Sequence, residues 1–207
     1  QIVKDQLGQI KVPEFDVIAD FAAPVPTVVI AEIMGIPAER QADFKRWSDM
    51  ASEAIFSPAP SEEALAAAAE GNRLMREFLL EQIAQRKKIP RDDLISQLIA
   101  SEINGDRLTE DEIVSQCALL LLAGNLTTTD MIGNGVRALL ENPEQLLKLR
   151  ANPQLIEDAV EEVLRYDSPV LNSARITHEN TEIQGCPVEK GECLHVSLAA
   201  ANHDPET

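Results

Sequence analysis

The sequence predicts a mainly α-helical fold with a small β element near its C-terminus. Three observations predict it. Apolar residues recur at three- and four-residue spacing through most of residues 1–168. One such pattern, opened by Thr109 and Glu112, continues for about thirty residues, which is unusually long for a globular domain. After Pro169 the pattern changes to short strands and turns over residues 170–200.

The predicted helices are bounded by local stop signals. Gly35 followed by Pro37 ends the first, and the stretch SPAPS at 57–61 ends the second. A turn at residues 104–106 precedes the longest helix, and Asn-Pro pairs flank a short one. The predicted ranges are 22–34, 38–56, 62–88, a short helix before the 104–106 turn, about 109–141, one helix between the Asn-Pro pairs, and 153–167.

The long helix about 109–141 carries an apolar stripe: Ile113, Cys117, Leu120, Gly124, Met131 and Gly135. Within it, LLLLAGNLTTTD (119–130) places Ala123 and Gly124 one turn before Thr127, so that small side chains and a hydroxyl share a face. Two explanations remain open. Either a flat, bulky ligand approaches the backbone here, or two helices cross closely while the threonine hydroxyls bond to carbonyls one turn earlier.

Charge excludes two classes of partner. Eighteen basic and thirty-five acidic residues leave a formal charge of −17. Such a surface repels nucleic-acid phosphates and anionic membranes, so neither is an expected partner. The longest apolar run, 117–123, is too short to cross a bilayer, and no basic-then-apolar leader is present. These features predict a cytoplasmic protein.

The three cysteines include no C-x-x-C pair and predict no disulfide framework. Cys117 lies in the long apolar helix and is expected to pack as a small hydrophobic residue. A zinc site would need Cys186 and Cys193 with His195 and His203, but their spacing fits no familiar ligand pattern.

The stretch EEVLRYDSPV (161–170) contains two charged residues three positions apart. Glu162 and Arg165 can pair on a helix surface, away from an expected buried face of Ile156, Ala159, Val160 and Val163. By itself this pattern favours a solvated ion pair. Ten residues later Arg175 begins a predicted strand, where its planar guanidinium is either a surface charge or a clamp for a carboxylate.

Taken together, LLLLAGNLTTTD, AVEEVLRYDSPV, the following arginine and LAAANHDPE occur in an order and spacing that resemble the cytochrome P-450 family, the haem-thiolate monooxygenases. EFDVIADFAAPVPTVVIAEIMGIP (14–37) also resembles that family, in particular its soluble bacterial members. The resemblance covers nearly the whole chain. It implies a partial cytochrome P-450 fold in which residues 1–207 are one segment of the catalytic domain.

The resemblance implies roles for the residues that match. The long helix would cross the distal face of the haem (heme b), with Ala123 and Gly124 leaving room there. Thr127 would be the alcohol that serves oxygen activation, and Thr128 the second candidate. Arg175 would bind a haem propionate. Glu162 and Arg165 would be the core-structural pair that holds the haem-binding meander.

The same resemblance implies a substrate pocket. Val170, Leu171 and Ser173 would line it. Residues 38–88 would form a mobile pair of helices above it, with Phe56 as a contact to substrate.

Two departures from the family's pattern stand out. The family usually has an acid directly before the catalytic threonine, whereas this chain has Leu126, which cannot relay protons. Thr128, Asn125, Asp130 or ordered water are the possible substitutes. The F-x-x-G-x-x-x-C-x-G loop, whose cysteine is the axial ligand, does not occur within residues 1–207. We therefore expect an internal segment, about half of a longer enzyme and inactive alone, with the axial cysteine elsewhere.

The expected function is that of the complete enzyme: insertion of one atom of dioxygen into an apolar small molecule, with electrons from a ferredoxin-type or flavodoxin-type donor. The alternative is a non-catalytic helical scaffold or binding protein that keeps the fold.

Overall fold

The structure, a computed structural model, describes residues 1–56, 59–103 and 105–206. It divides into two compact units, Gln1–Thr129 and Asp130–Thr207, and one long helix runs from the first into the second. The predicted mainly helical fold with small sheets is confirmed. That residues 1–207 belong to one catalytic domain stays a prediction.

The described part of the first unit consists of helices and one short hairpin. Ser57 and Pro58 of the predicted helix break, and Asn104 of the predicted turn, lie outside the described residues. The elements are α1 (Ile2–Gln9), a π-helical turn (Ile18–Ala22), α2 (Pro24–Ile33), a 3₁₀ turn (Ala38–Arg40), α3 (Gln41–Phe56), α4 (Glu62–Lys88), α5 (Leu94–Ala100), β1 (Glu102–Ile103) paired antiparallel with β2 (Asp106–Arg107), and most of α6 (Glu110–Glu141).

The bounds of α4 match the predicted range because both ends carry local signals. The Ser61 hydroxyl accepts a hydrogen bond of 3.1 Å from the Ala64 N–H and caps the helix. Acidic residues occupy its first turn and basic residues its last turn, which complements the helix dipole.

The helix α2 begins two residues later than predicted. Pro24 stands at the start of the helix, where proline needs no N–H partner, and the residues before it form the π-helical turn. At its end, Gly35 adopts a φ of 69°, and the Ile36 N–H bonds the Ala31 carbonyl at 2.8 Å.

The core of the first unit lies where α3 packs against α4, with the ends of α2, α5 and α6 around them. The Phe78 ring lies 6.3 Å from Phe44 and 5.6 Å from Trp47, centroid to centroid. Gly71 permits the close crossing, since a Cβ there would be 2.8 Å from the Trp47 carbonyl oxygen. The buried cluster is Ala31, Met34, Ile36, Phe44, Trp47, Met75, Phe78, Leu79, Ile83, Ile95, Ile113, Val114, Cys117 and Leu121.

A buried ion pair joins three helix ends in this unit. Arg86, 1% exposed, donates from Nε to Asp93 Oδ2 at 3.0 Å and from its terminal nitrogens to Gln82 Oε1 and the Gly35 carbonyl. Asp93 also caps α5 by accepting from the Ser96 N–H at 2.8 Å. All of these partners are needed because a buried guanidinium without acceptors costs several kcal/mol, about 3–5.

The second unit combines the end of α6 with two helices, two strand pairs and a last short helix. These are α7 (Pro143–Ala151), a 3₁₀ turn (Pro153–Leu155), α8 (Ile156–Tyr166), β3 (Asn172–Ile176), β4 (Thr181–Ile183), β5 (Cys186–Val188), β6 (Cys193–Ser197) and α9 (Leu198–Asn202). The strands pair antiparallel as β3 with β6 and β4 with β5. The β4–β5 turn carries Gly185 at a φ of 84°.

Two expectations for this unit are corrected. The predicted buried face of α8 is open: Ile156 is 53% and Val160 39% exposed, Ala159 and Val163 are half-buried, and no residue of α8 is buried. Its apolar side borders a groove with α7 and the end of α6. Residues 198–200, expected in the strand region, begin α9 instead, because the Ser197 hydroxyl caps that helix.

Candidate functional site

The start of α6 is set by the predicted capping box. The Thr109 hydroxyl accepts from the Glu112 N–H at 3.2 Å, and Glu112 Oε2 accepts from the Thr109 N–H at 2.7 Å. Two helix donors are thereby satisfied. The capping box lets an unbroken helix of 32 residues begin at Glu110.

The buried stripe of α6 in the first unit differs from the predicted one at one position. Ile113, Cys117 and Leu121 are at most 1% exposed, whereas Leu120 is 44% exposed. Leu121 replaces Leu120 because the helix turns about 100° per residue, and the core lies on the side of Cys117 and Leu121.

The opposite side of α6 presents an apolar face to the outside of the first unit. Leu119 is 57% exposed, and Ala123 lies one turn later and is also exposed. Together with Leu120 these residues form the open face of α6. An apolar patch of this kind on a structural helix is typical of a binding surface.

Thr127 continues the open face. Its hydroxyl donates a hydrogen bond of 2.6 Å to the Ala123 carbonyl one turn earlier. Such a bond competes with the helix ladder, and it leaves the lone pairs of Thr127 Oγ1 available to a ligand. Thr128, the second predicted alcohol, is exposed.

Gly124 lies on the other side of the helix, against α2. A Cβ at this position would be 2.8 Å from Ile30 Cδ1. The sequence left two explanations open for these small residues, a close helix crossing and the approach of a ligand. Gly124 lies at a close helix crossing, while Ala123 lies on the open face. That Gly124 leaves room at the haem stays a prediction.

The position of the missing acid is filled by a half-buried side chain, Leu126. Of the predicted substitutes, Asn125 contacts Thr27 of α2. Burial raises the pKa of Asp130. Thr27 was not singled out from the sequence, because nothing local marks a threonine that meets a helix 98 residues later.

The predicted pair on α8 is formed with two-pronged geometry. Arg165 donates from Nε and Nη2 to the two carboxylate oxygens of Glu162, both at 2.7 Å, and from Nη1 to the Asn202 carbonyl at 3.0 Å. The hydrogen bonds from Arg165 lower the pKa of Glu162. The two side chains are 46% and 59% exposed in the described chain, and their structural role in the complete enzyme stays a prediction.

Arg175 lies on β3 opposite Leu194 of β6. Its Nη1 donates to the Ser173 hydroxyl at 2.7 Å and to the Ala174 carbonyl at 2.8 Å. Both bonds use Nη1, and the other N–H groups of a guanidinium can donate to an acceptor such as a carboxylate.

The predicted pocket residues lie at the start of the same strand. Val170 and Leu171 are 40% and 54% exposed, and Ser173 is half-buried beside Arg175. Phe56 ends α3, and its side chain lies outside the described residues.

The cysteines divide into one buried and two exposed thiols. Burial, with a contribution from Asp93, raises the pKa of Cys117 to about 11, and the thiol packs as predicted. Cys193 Sγ lies 3.8 Å from His195 Nε2. In the described ranges no three His, Cys, Asp or Glu side chains are grouped so that they could hold a metal ion.

Comparison with known proteins decides the family. The family profile described as Cytochrome P450 matches residues 30–207. The chain belongs to the cytochrome P450 family. The helix α6, the Glu162–Arg165 pair and Arg175 therefore all lie within the part of the chain that matches the family.

Individual P450 relatives agree over almost the whole chain. It is 43% identical over 195 residues to the biotin biosynthesis cytochrome P450 of Bacillus subtilis (strain 168), covering 93% of this chain and 48% of that protein. It is 39% identical over 193 residues to the vitamin D(3) 25-hydroxylase of Pseudonocardia autotrophica, covering 92% and 46%. The chain thus spans about half the length of the curated relatives it matches.

A solved P450 structure shows the same arrangement. The crystal structure of P450BioI in complex with hexadec-9Z-enoic acid ligated acyl carrier protein matches with a TM-score of 0.90 at 40% identity, covering 99% of this chain and 53% of that one. None of the described helices is long and apolar enough to span a membrane.

Proposed function

We propose that the complete P450 to which this chain belongs is a haem-dependent monooxygenase that inserts one atom of dioxygen into an apolar small molecule. The observation that carries the proposal is the open face of α6, where Thr127 follows Leu119, Leu120 and Ala123 on one side of a P450 helix. The names of two relatives support it, one a hydroxylase of vitamin D(3) and one bound to a fatty-acyl carrier protein.

The residues present fit a haem, each within its own unit. The open face of α6 offers an apolar surface for a macrocycle, with no bulky side chain at Ala123. Arg175, whose guanidinium is held on β3, would bind a propionate. The axial cysteine is expected outside residues 1–207. When bound, the haem supplies the oxygen-activating chemistry, and the protein supplies orientation and proton control.

The role of Thr127 in this proposal is to hold a proton at one atom. Its Oγ1 donates to the Ala123 carbonyl, so its lone pairs can accept from a group on the open face. Rotation about the Cβ–Oγ1 bond would turn the same hydrogen from the carbonyl towards that face without moving the helix. Leu126 has no proton to give. Thr128, exposed one residue later, is the second hydroxyl available for this task.

The reaction also requires a partner protein. Inserting one oxygen atom of dioxygen into a C–H bond while releasing the other as water consumes two electrons and two protons. We propose that a ferredoxin-type or flavodoxin-type donor delivers these electrons in the cytoplasm. Val170, Leu171 and Ser173 would contact the substrate, and the Glu162–Arg165 pair would support the fold around the haem.

The test uses the complete protein. Its reduced form should give the red-shifted absorption band of a thiolate-ligated haem under carbon monoxide, and apolar compounds should shift the resting spectrum. Thr127→Ala should keep that band while reductant use yields hydrogen peroxide in place of product. A complete protein that binds no haem would instead support the non-catalytic scaffold. Unchanged coupling in Thr127→Ala would remove this residue from the mechanism and leave Thr128.

A further inference from the structure

Three polar side chains fasten the middle of α6 to the start of α2. Thr27 Oγ1 lies 3.0 Å from Asn125 Oδ1 and 3.2 Å from the Ala23 carbonyl oxygen. Thr129 Oγ1 lies 3.3 Å from the Ala22 carbonyl oxygen. Thr27 and Thr129 are 3% and 6% exposed. We call Thr27, Asn125 and Thr129 the α2–α6 clamp.

The clamp forms a complete hydrogen-bond chain when the Asn125 amide is turned by 180°. With Oδ1 of Asn125 facing α2, both neighbours of Thr27 Oγ1 would be acceptors, and a hydroxyl has one hydrogen to donate. With Nδ2 facing α2, Asn125 donates to Thr27 and Thr27 donates to Ala23. Oxygen and nitrogen of an amide are told apart by such networks. Asn125 is therefore the donor of the clamp.

The clamp holds a turn of α6 that is loosened from within. The Thr127 hydroxyl donates to the carbonyl one turn earlier at 2.6 Å, and the single hydrogen of Thr129 is shared between the Asn125 carbonyl at 3.0 Å and the Ala22 carbonyl at 3.3 Å. Bonds of this kind compete with the helix ladder and bend helices slightly. A turn weakened twice within three residues needs an external support to keep one orientation.

Helix geometry relates the clamp to Thr127. Asn125 and Thr129 are four residues apart and share the side of α6 that faces α2. Thr127 is two residues from each, about 200° around the helix from both. Any rotation of this turn about its axis therefore moves the Thr127 hydroxyl sideways, and the clamp opposes that rotation.

We infer that Thr27 and Asn125 are positioning residues that fix where the Thr127 hydroxyl lies on the open face of α6. This inference rests on the proposed function of Thr127. It extends that function to a residue of α2 whose hydroxyl lies beside Asn125 and the Ala23 carbonyl. Thr27 would act on oxygen activation through Thr127 alone.

The experiment measures, in the complete haem protein, the share of reductant that appears in product and the share that appears as hydrogen peroxide. Thr27→Val removes the hydroxyl at nearly constant shape, and Asn125→Ala removes the donor from the other side should the first variant fold poorly. Both should lower coupling severalfold, with the KM for substrate and the carbon monoxide band unchanged. Thr27→Ser keeps a hydroxyl at this position, so its coupling should stay close to that of the parent protein.

Two further measurements separate positioning from general stability. Amide hydrogen exchange of the peptide around residues 123–131 should accelerate in Thr27→Val. Ser115→Ala, which removes an exposed hydroxyl bonded to the Asp111 carbonyl in the same helix, should change neither coupling nor exchange there. In a Thr127→Ala background, Thr27→Val should add no further uncoupling, because its effect passes through the missing hydroxyl.

The outcomes separate the positioning role of Thr27 and Asn125 from the proposed role of Thr127 on which it rests. Normal coupling in Thr27→Val and Asn125→Ala, with Thr127→Ala uncoupled, would overturn the inference and leave the proposed function intact. Additive uncoupling in the double variant would also overturn it. A complete protein without oxygenation, or with normal coupling in Thr127→Ala, would overturn both.

Discussion

Gly124 lies so close to Ile30 that a Cβ atom on residue 124 would be 2.8 Å from the Ile30 Cδ1 methyl. The glycine in the middle of the long helix thus belongs to the contact between α6 and α2. The next residue back, Ala123, lies on the open face. Two small neighbours in one motif therefore serve two different surfaces.

Two glycine substitutions should differ in cost because their neighbours differ. Gly124→Ala meets the end of a flexible side chain, which can turn away, and alanine favours the helix by about 1 kcal/mol. We expect nearly unchanged stability. Gly71→Ala meets the Trp47 carbonyl and the Met50 Cβ at 2.8 and 2.9 Å, which cannot yield as easily. It should destabilise by about 1–3 kcal/mol, as overpacking does. Urea unfolding measures both, and equal effects would contradict this account.

The buried Arg86 should be among the most sensitive positions of the first unit. Arg86→Met leaves Asp93 as an uncompensated buried charge and removes donors from Gln82 and the Gly35 carbonyl. The expected loss is about 3–5 kcal/mol. Arg73→Met is the matched control on the same helix, since Arg73 is half-exposed and pairs with Glu70 and Glu77. Its unfolding midpoint should hardly change, and a similar loss in both variants would count against the buried pair.

Asp93 should make stability depend on acid pH. Burial acts against its charge, but hydrogen bonds from Ser96 and the Arg86 guanidinium outweigh burial and lower its pKa. A lowered folded pKa contributes stability above the unfolded value of about 3.9, and that contribution is lost as pH falls through the folded value. Asp93→Asn should therefore be less stable than the parent at pH 7, and the gap should shrink below about pH 4. Unfolding at a series of pH values tests it; a constant gap would refute the linkage.

The three thiols should react at two distinct rates. Cys186 and Cys193 are exposed, whereas burial raises the pKa of Cys117 to about 11 and keeps it protonated at pH 8. A disulfide reagent should label two thiols quickly and the third upon unfolding. Cys117→Ala should abolish the slow phase and leave the fast phases unchanged. Three fast thiols in the native protein would show that Cys117 is accessible.

The Glu162–Arg165 pair should behave differently in the chain and in the complete enzyme. In residues 1–207 both side chains are about half-exposed, so Glu162→Ala should hardly move the unfolding midpoint, as for other exposed pairs. In the complete P450 we expect the same variant to yield no recoverable haem protein. If the rest of the enzyme encloses the pair, removing Glu162 leaves the charge of Arg165 buried and unpaired. Normal haem content in the complete Glu162→Ala protein would show that the pair acts as an ordinary surface ion pair. Glu161→Ala, one residue earlier and exposed, serves as the control.

Much of the fold was readable because its signals act within one helical turn. The SPAPS break at 57–61 predicted where α4 begins, and Thr109 with Glu112 predicted the start of α6. The change of pattern after Pro169 predicted the short strands of the second unit. The P450 motifs at 119–130 and 161–175 likewise lie in short stretches, so their order along the chain predicted the family.

The sequence by itself determined where α4 and α6 begin, the family, and which residues carry its motifs. Only the tertiary structure decided which side of α6 each residue occupies: Leu121 in the core where Leu120 was expected, Gly124 on Ile30, and Thr27 bonded to Asn125. It also decided that α8 has an open apolar side. The reason is physical. Caps and turns are determined by neighbours within about four residues. The orientation of a long helix depends instead on partners about a hundred residues away, and no local pattern in the sequence identifies those partners.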